Sequence, residues 1–560
     1  MSVGKNDKGH VIECDTWPFL ANGSLVMGQS SRAGHFAQVS TMRTEHKSIQ
    51  SNLTDHIFLY VVVSITGAAV MMIELMGTRI IGPFYGVSLF VWSSLISVTL
   101  LALAIGYYVG GLLADKQGIV RLSHVIFLAA ILTGVIPLMS SGVLSATNSL
   151  GLRAGAFASA LILFSPCLVL LGMAGPFVIK MATSRLEGVG VVVGSVYAVS
   201  TLGSVFGTLL LGFYLLPLAG IRLILLSISL VLLLLAFLLA IYELRRLQFT
   251  VKPVLWIASC LAVASVLVGV YLLHEERVVK DYRVLSDVES HYGWVRVVDQ
   301  PYERVRWLLS DSSTIGAESL DTGNGLLSYQ HIVGLLPRFL PEAKDALLIG
   351  LGSGHLVGVL DRQGVKTDAI EIDPEVARVA SKYFNFKPTG DLIIGDARYQ
   401  VTKLDKQYDM IIHDCFTGGT EPIHLLSVEM LQTLKSLLKE KGVLALNMIG
   451  FLEGSDKIAV EAVARTLDAV FAYRRVFVSE PGKDFNDIVF LVSNSPDALK
   501  PHKDHQHIDR ELAKKEISIN TENAFVVTDD YNPLESLQVA KAEHYRELLM
   551  KRLGEQILIR

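Results

Sequence analysis

The sequence predicts two unlike halves: a multi-pass α-helical membrane bundle, then an α/β domain built on a mostly parallel, doubly wound sheet of seven strands. Three observations carry this. Residues 57–273 are almost unbroken apolar sequence, and beyond residue 340 short β-like runs alternate with helical stretches. The first of those runs ends in a glycine turn, "GLGSG", Gly350 to Gly354.

With 560 residues, 51% of them hydrophobic, the chain is too long and too apolar for one ordinary soluble domain. The formal net charge is only −4 and no Lys/Arg-rich block occurs, so the electrostatic footprint of a nucleic-acid binder is missing. The four cysteines, Cys14, Cys167, Cys260 and Cys415, show neither C-x-x-C nor Cys/His ligand spacing. Neither a metal site nor a disulfide framework is expected.

Residues 1–55 are polar and mixed, with no basic stretch leading into an apolar core. They read as a disordered segment rather than a signal peptide. From 56 to 275 follow apolar runs at 57–77, 88–113, 124–142, 154–180, 190–216, 221–242 and 253–273. Each is long enough to cross a hydrocarbon layer of about 30 Å, which gives about seven membrane helices. Gly106/Gly110 and Gly203/Gly207 are spaced four apart, a spacing that lets helix backbones approach closely. Glu74 lies near the end of the first span, with Arg79 close enough in sequence to neutralise it. So little intramembrane charge argues against an ion-coupled transporter. The basic linkers, with Lys116/Arg121, Lys180/Arg185 and Arg245/Arg246/Lys252, place the amino terminus inside. Seven spans would then put the second half outside, in conflict with a cytoplasmic cofactor pool. The expectation adopted is a multi-pass inner-membrane protein with its second half in the cytoplasm.

In the soluble half the β-like runs are "ALLIG", "TDAIEI", "DLIIGD", "YDMIIHD", "GVLALN", "RRVFVS" and "DIVFLVS". Such a sheet binds ligands beyond the carboxyl ends of its strands. Gly350, Gly352 and Gly354 let the backbone pass close to a ligand, and the G-x-G-x-G spacing, with His355 where a dinucleotide motif has glycine, favours an S-adenosylmethionine-type cofactor over NAD. Glu371 ends the second strand, where a carboxylate can accept from both ribose hydroxyls. Asp396, ending the third, suits an adenine amino group, with the neighbouring backbone at Ala397 against the ring edge. Asp414 ends the fourth, at the mouth of the same crevice. Any one of these acids could be a helix cap; the ordered set points to an adenosyl ligand.

Residues from about 285 to 500 resemble the polyamine synthase (spermidine synthase) family. The chain from "IELMGTRIIGPFYG" through "STLGS" to "TDDYNPLE" is similar to bacterial membrane proteins in which such a domain is fused to a helical bundle. The resemblance implies a Rossmann-like, AdoMet-dependent transferase domain at 341–500. A small β-hairpin subdomain would precede it at 276–340 ("HYGWVRVVDQ", "RWLLSDSS"), and 501–560 would be a C-terminal extension. It implies that Glu371 and Asp396 bind the adenosyl group, that Asp414 is the catalytic aspartate, and that Tyr329 contacts the amine.

Three departures from the family pattern stand out. Ser353 replaces the aspartate that holds the aminopropyl amine of decarboxylated S-adenosylmethionine, Thr417 replaces the acid that grips the far end of the diamine, and Gly293 replaces a glutamine. Glu421 and His424 are candidates for a rearranged acceptor pocket. The reaction implied is transfer of an aminopropyl group from decarboxylated S-adenosylmethionine to a small amine, releasing methylthioadenosine without a metal. The alternatives are methyl or aminocarboxypropyl transfer from intact S-adenosylmethionine, or a transporter or sensor with a nucleoside-binding domain. Membrane lipid is an expected partner, nucleic acid is not, and a homodimer is entertained as the assembly. Asp529 and Asp530 read as pocket, docking or helix-start acids.

Overall fold

A computed structural model describes residues 34–86, 88–116, 120–183, 188–247, 253–273, 281–416, 419–502 and 505–559. Cys14, Arg185, Lys252 and Thr417 lie outside the described residues. The chain divides into one unit ending at Phe58 and a second from Leu59 to Arg560, which holds the helix crossings, both sheets and the site described below.

The apolar half forms α1 (Gly34–Tyr85), α2 (Leu89–Asp115), α3 (Leu122–Thr147), α4 (Gly151–Gly172), α5 (Ala174–Ala182), α6 (Val189–Leu210), α7 (Ile221–Leu247) and α8 (Pro253–Leu273). By length and composition, five stretches among the described residues could cross a membrane: Thr54–Tyr85, Leu89–Asp115, Leu122–Ala182, Val189–Leu215 and Ile221–Arg245. A shorter apolar helix, Ser259–Gly269, lies within α8. The 61-residue stretch Leu122–Ala182 is not one rod. The hydroxyls of Thr147 and Ser159 meet at 2.7 Å although 12 residues separate them; a straight helix would hold them about 18 Å apart. The chain therefore folds back between α3 and α4, and this stretch contains two of the apolar runs expected from the sequence.

The glycine pairs act at helix crossings. A Cβ on Gly106 would stand 2.4 Å from the Val169 carbonyl oxygen, and one on Gly203 would stand 2.2 Å from that of Ser64. Gly110 and Gly207 similarly press on the backbones of Met173 and Ala68. Only glycine permits α2 to lie this close to α4, and α6 to α1. The expected neutralisation of Glu74 by Arg79 is not found: among the described residues no ion pair joins them. Arg79 instead donates to the carbonyls of Ser290 and His291, tying the end of α1 to the soluble half. Glu243 of α7 is buried and accepts from the Ser123 backbone at 3.3 Å and from its hydroxyl.

The soluble half begins with β1 (Arg283–Glu289), β2 (Trp294–Gln300), β3 (Val305–Ser310) and β4 (Ser313–Ser319), a four-stranded antiparallel sheet in sequential order. It lies within residues 276–340, where a small β-hairpin subdomain was expected, and consists of four strands. Strand alternation gives it two faces. Val295, Val297 and Leu308 pack against Val376 and Val379 of α10 (Pro374–Tyr383). Arg296, on the opposite face, donates to the Ile557 carbonyl near the carboxy terminus.

The main sheet is mixed and has eight strands where seven were expected, with the parallel pairings in the majority. Its strands are β5 (Asp345–Ile349), β6 (Lys366–Glu371), β7 (Leu392–Ile394), β8 (Tyr408–His413), β9 (Leu438–Phe451), β10 (Tyr473–Val478), β11 (Phe485–Ser493) and β12 (Glu516–Ile517). Their order is β12-β10-β11-β9-β8-β5-β6-β7. From β9 to β7 neighbouring strands are parallel, whereas β9–β11, β11–β10 and β10–β12 are antiparallel. The physical reason lies in the connection: only residues 479–484 join β10 to β11, too few for the crossover of a dozen or more that parallel neighbours need. Alternate residues fill opposite cores. Leu347, Ile411 and Leu444 meet α11 (Val428–Ser436) and α12 (Ile458–Val470), while Leu348, Ile412 and Val443 face α9 (His355–Asp361).

The C-terminal extension is part of this framework. Helix α13 (Val539–Leu553) lies between the halves. Arg546 bonds Asn148 at 2.6 Å and stacks over Phe84 at 4.2 Å, while Arg552 stacks over Trp307 of β3 at 4.6 Å.

Candidate active site

The glycine turn follows β5 directly. Gly350, Gly352 and Gly354 have φ of 91°, 54° and 77°, in the left-handed region. At Gly350 a Cβ would sit 2.2 Å from the Asp414 carbonyl oxygen, and at Gly352 2.4 Å from that of Ile315. The turn is pressed between β8 and β4, and a side chain at either position would push it out. Gly354 caps α9 and rests against Phe386.

Glu371 closes β6 with its carboxylate buried. One oxygen accepts from the Leu351 backbone at 3.0 Å and the other from Asp373 N–H at 2.9 Å, so the turn itself orients this acid. Burial pushes its carboxyl above the usual range, and the two backbone donors oppose that shift. Asp396 follows β7 and accepts from Tyr399 N–H at 3.0 Å, capping the next short helix. Asp396 therefore is a helix cap, yet it also faces the cleft beside Ala397, with His424 Nε2 3.7 Å away.

Asp414 follows β8. The Tyr329 hydroxyl donates to Oδ2 at 2.5 Å and Asn447 Nδ2 donates to Oδ1 at 3.0 Å. Burial pushes its carboxyl up to about 6, against the pull of these two donors. His413, on the opposite side of the strand, is fully buried and held down to about 4, so it stays neutral at physiological pH.

One cavity of about 770 Å³ joins these groups. Gly350, Gly352, Glu371, Asp396, Ala397, Asp414, Tyr329 and His424 all line it, so the ends of four neighbouring strands converge as expected. Gly354 shapes the turn from behind. Glu421 is a correction: it is buried away from the cavity, accepts from Ile449 N–H at 2.9 Å, and forms an ion pair with Lys541 of α13. Its charge is already matched, so it is not free to bind an acceptor. Ser353 also faces away, 2.6 Å from His355 Nδ1, and His355 Nε2 lies 3.3 Å from Glu318. At Gly293 a Cβ would meet the Asp311 carboxylate at 2.8 Å, leaving no room for the glutamine of the family pattern. Asp529 pairs with Arg398 rather than lining the cavity.

Sequence reasoning missed part of the wall. Asn447 was hidden inside a strand, Asp487 at the start of another, and Tyr545, His544 and Leu548 in an extension without a motif. A polar residue in an otherwise apolar run, "VLALNMIG", was the one available signal for Asn447.

Residues 327–479 match the family model described as the spermine/spermidine synthase domain. The match, together with the relatives below, supports a spermidine synthase-like family for this part of the chain. The chain is 30% identical over 237 residues to an N-terminal histidine N-methyltransferase of Emericella nidulans, covering 38% of this chain and 42% of that protein. It is 37% identical over 123 residues to a polyamine aminopropyltransferase of Vibrio vulnificus, covering 21% of this chain and 40% of that protein. The chain thus spans less than half the length of either curated relative. A solved spermidine synthase from Thermotoga maritima is 23% identical, covers 49% of this chain and 88% of that one, and aligns with a TM-score of 0.33. The matched segment begins just before Tyr329 and ends at the tip of the β10–β11 hairpin.

Proposed function

We propose that this protein is a membrane-anchored aminopropyltransferase of spermidine synthase type. It would move the aminopropyl group of decarboxylated S-adenosylmethionine to an amine and release methylthioadenosine. One observation carries the reading: Asp414, clamped by Tyr329 and Asn447, opens into the cavity that also holds Glu371, Asp396 and the glycine turn. The cavity fits such a donor. The turn offers a surface without Cβ atoms, Glu371 an oriented acceptor for ribose hydroxyls, and Asp396 with Ala397 a polar edge for the purine.

The acceptor amine arrives protonated, since an alkylamine has a pKa near about 10. Asp414 binds the ammonium, and Tyr329 and Asn447 keep its carboxylate facing the cavity. As the proton leaves for Asp414, the nitrogen lone pair attacks the carbon bonded to sulfur. That C–S bond breaks, and its electron pair neutralises the sulfonium. Positioning of this kind is typically worth about 10²–10⁴ in rate from the base alone, with the rest from holding both partners in line. The apolar helices α1–α8 are read as the membrane anchor, with the soluble half on the cytoplasmic side.

A second reading keeps the site and changes the group moved. Ser353 faces His355 instead of the cavity, so no acid at that turn position selects the decarboxylated donor. The relative with 30% identity is an N-methyltransferase. Intact S-adenosylmethionine would then donate methyl. Mass spectrometry of products from the purified full chain with each donor and a panel of amines separates the two. Methylthioadenosine formed from the decarboxylated donor supports aminopropyl transfer, S-adenosylhomocysteine formed from the intact donor supports methylation, and neither outcome with any amine overturns both.

A further inference from the structure

The end of α1 grips both turns at one end of the small sheet. Arg79 donates to the carbonyls of Ser290 and His291 in the β1–β2 turn, and the Pro83 carbonyl accepts from the Ser312 hydroxyl in the β3–β4 turn. A second helix of the bundle reaches the same place. Both carboxylate oxygens of Glu289 lie 3.1 Å from Ile221 N–H, the donor at the start of α7. Three successive residues, Glu289 to His291, are therefore held by the helical half.

From that turn a series of hydrogen bonds leads inward. The Ser290 hydroxyl accepts from the N–H groups of Tyr292 and Gly293, each at 3.0 Å, and its own hydrogen is directed at the Asp373 carboxylate, 2.5 Å away. The Gly293 carbonyl, at 3.0 Å, is the poorer acceptor because it carries no charge. With its other oxygen Asp373 accepts from Glu375 N–H at 2.9 Å and caps α10, while its own N–H donates to Glu371 at 2.9 Å. Only Ser290 and Asp373 separate Arg79 from Glu371. Charge follows the same path. Asp311, beside Ser312, and Asp373 are both buried, and burial pushes both carboxyls above the usual range. The Arg79 guanidinium is a cation within electrostatic reach of both, so the helical half supplies a counter-charge to an acid that lines the cavity.

We propose that Arg79 is a positioning residue for the nucleoside: by fixing the turn at Ser290 and placing its charge near Asp373, it holds Glu371 in the orientation that receives the ribose. The helical half is then a working part of the donor pocket and not only its anchor. This rests on the transferase reading above. The other junction, Arg546 of α13 with Asn148, lies on different elements and serves as the comparison.

The test measures methylthioadenosine affinity by calorimetry on the full chain in lipid nanodiscs. Arg79→Met should weaken binding by about 5-fold or more, and Arg79→Lys, which keeps the charge and one donor, by about 3-fold or less. Ser290→Ala breaks the same path outside the helices and should weaken binding comparably, with no further loss when it is combined with Arg79→Met. In turnover, donor KM should rise while kcat stays within about 3-fold of wild type. Asn148→Ala should leave affinity within about 2-fold of wild type. Wild-type affinity in Ser290→Ala overturns the proposal even if Arg79→Met does not fold, and so do additive losses, a loss confined to kcat, or an equal loss in Asn148→Ala. The two layers fail differently. If wild type and variants bind methylthioadenosine equally well, only the positioning role falls; if wild type does not bind it, the transferase reading falls and takes this role with it.

Discussion

The Tyr329 hydroxyl donates to Asp414 Oδ2 at 2.5 Å, joining the short helix that follows the small sheet to the end of β8. This bond stabilises the ionised carboxylate, whereas burial opposes ionisation and leaves the group at about 6. Activity that needs ionised Asp414 should rise as pH increases through about 6 in a kcat/KM profile. Removing the donor with Tyr329→Phe should move that acidic limb upward by about one pH unit. A limb that stays in place would show that Asp414 is not the titrating group.

Asp414→Asn retains the shape of the site, including the backbone carbonyl beneath Gly350, but cannot accept a proton. Turnover should fall about 10²–10⁴-fold, with methylthioadenosine affinity by calorimetry within about 3-fold of wild type. Comparable losses in both would make Asp414 a structural residue.

Glu371→Ala should separate binding from chemistry in the opposite sense. It removes the acceptor oriented by the Leu351 and Asp373 N–H groups. Affinity for methylthioadenosine should drop by about 10-fold or more, because paired hydrogen bonds to a charged group are lost. Unaltered affinity would place the nucleoside elsewhere.

Glu421 and Lys541 make a buried ion pair between the loop after Asp414 and α13, with side chains 0% and 4% exposed. Lys541→Met alone leaves a buried carboxylate unmatched and should destabilise the fold by about 3–5 kcal/mol. Adding Glu421→Gln should recover much of that loss in denaturant unfolding. Additive losses would mean that the two residues do not act as a pair.

Asp414 and Asp487 both carry folded-state values above the ordinary carboxylate range, about 6 and about 7. A raised carboxyl binds its proton more tightly in the folded chain, so its stabilising contribution is full below the unfolded value near 4 and is lost as pH rises through 6 to 7. The ligand-free protein should therefore lose thermal stability across that window. A bound cationic amine should reduce the loss, and its binding near pH 6.5 should release protons, measurable by calorimetry in buffers of different ionisation enthalpy. Buried His413, held down to about 4, contributes the opposite slope as pH rises towards 6.5, so the loss is read as the difference from Asp414→Asn, and identical profiles in the two would contradict the burial of Asp414.

Periodicity and glycine spacing determined much of this protein without coordinates. The seven apolar runs, the helix contacts at Gly106 and Gly203, and the seven strand cores β5–β11 follow from local patterns that repeat at fixed intervals. So does the ordered set Gly350, Glu371, Asp396 and Asp414, because a doubly wound sheet brings consecutive strand ends to one edge. Tertiary structure alone decided the rest. The antiparallel placement of β10 and β11, the commitment of Glu421 to Lys541, the turning of Ser353 toward His355 and the arrival of Asp487, Tyr545 and His544 in the cavity all join segments distant in sequence. A carboxylate's neighbours in space fix whether it is matched, capped or free, and no local spacing encodes a partner that another strand or a C-terminal helix supplies.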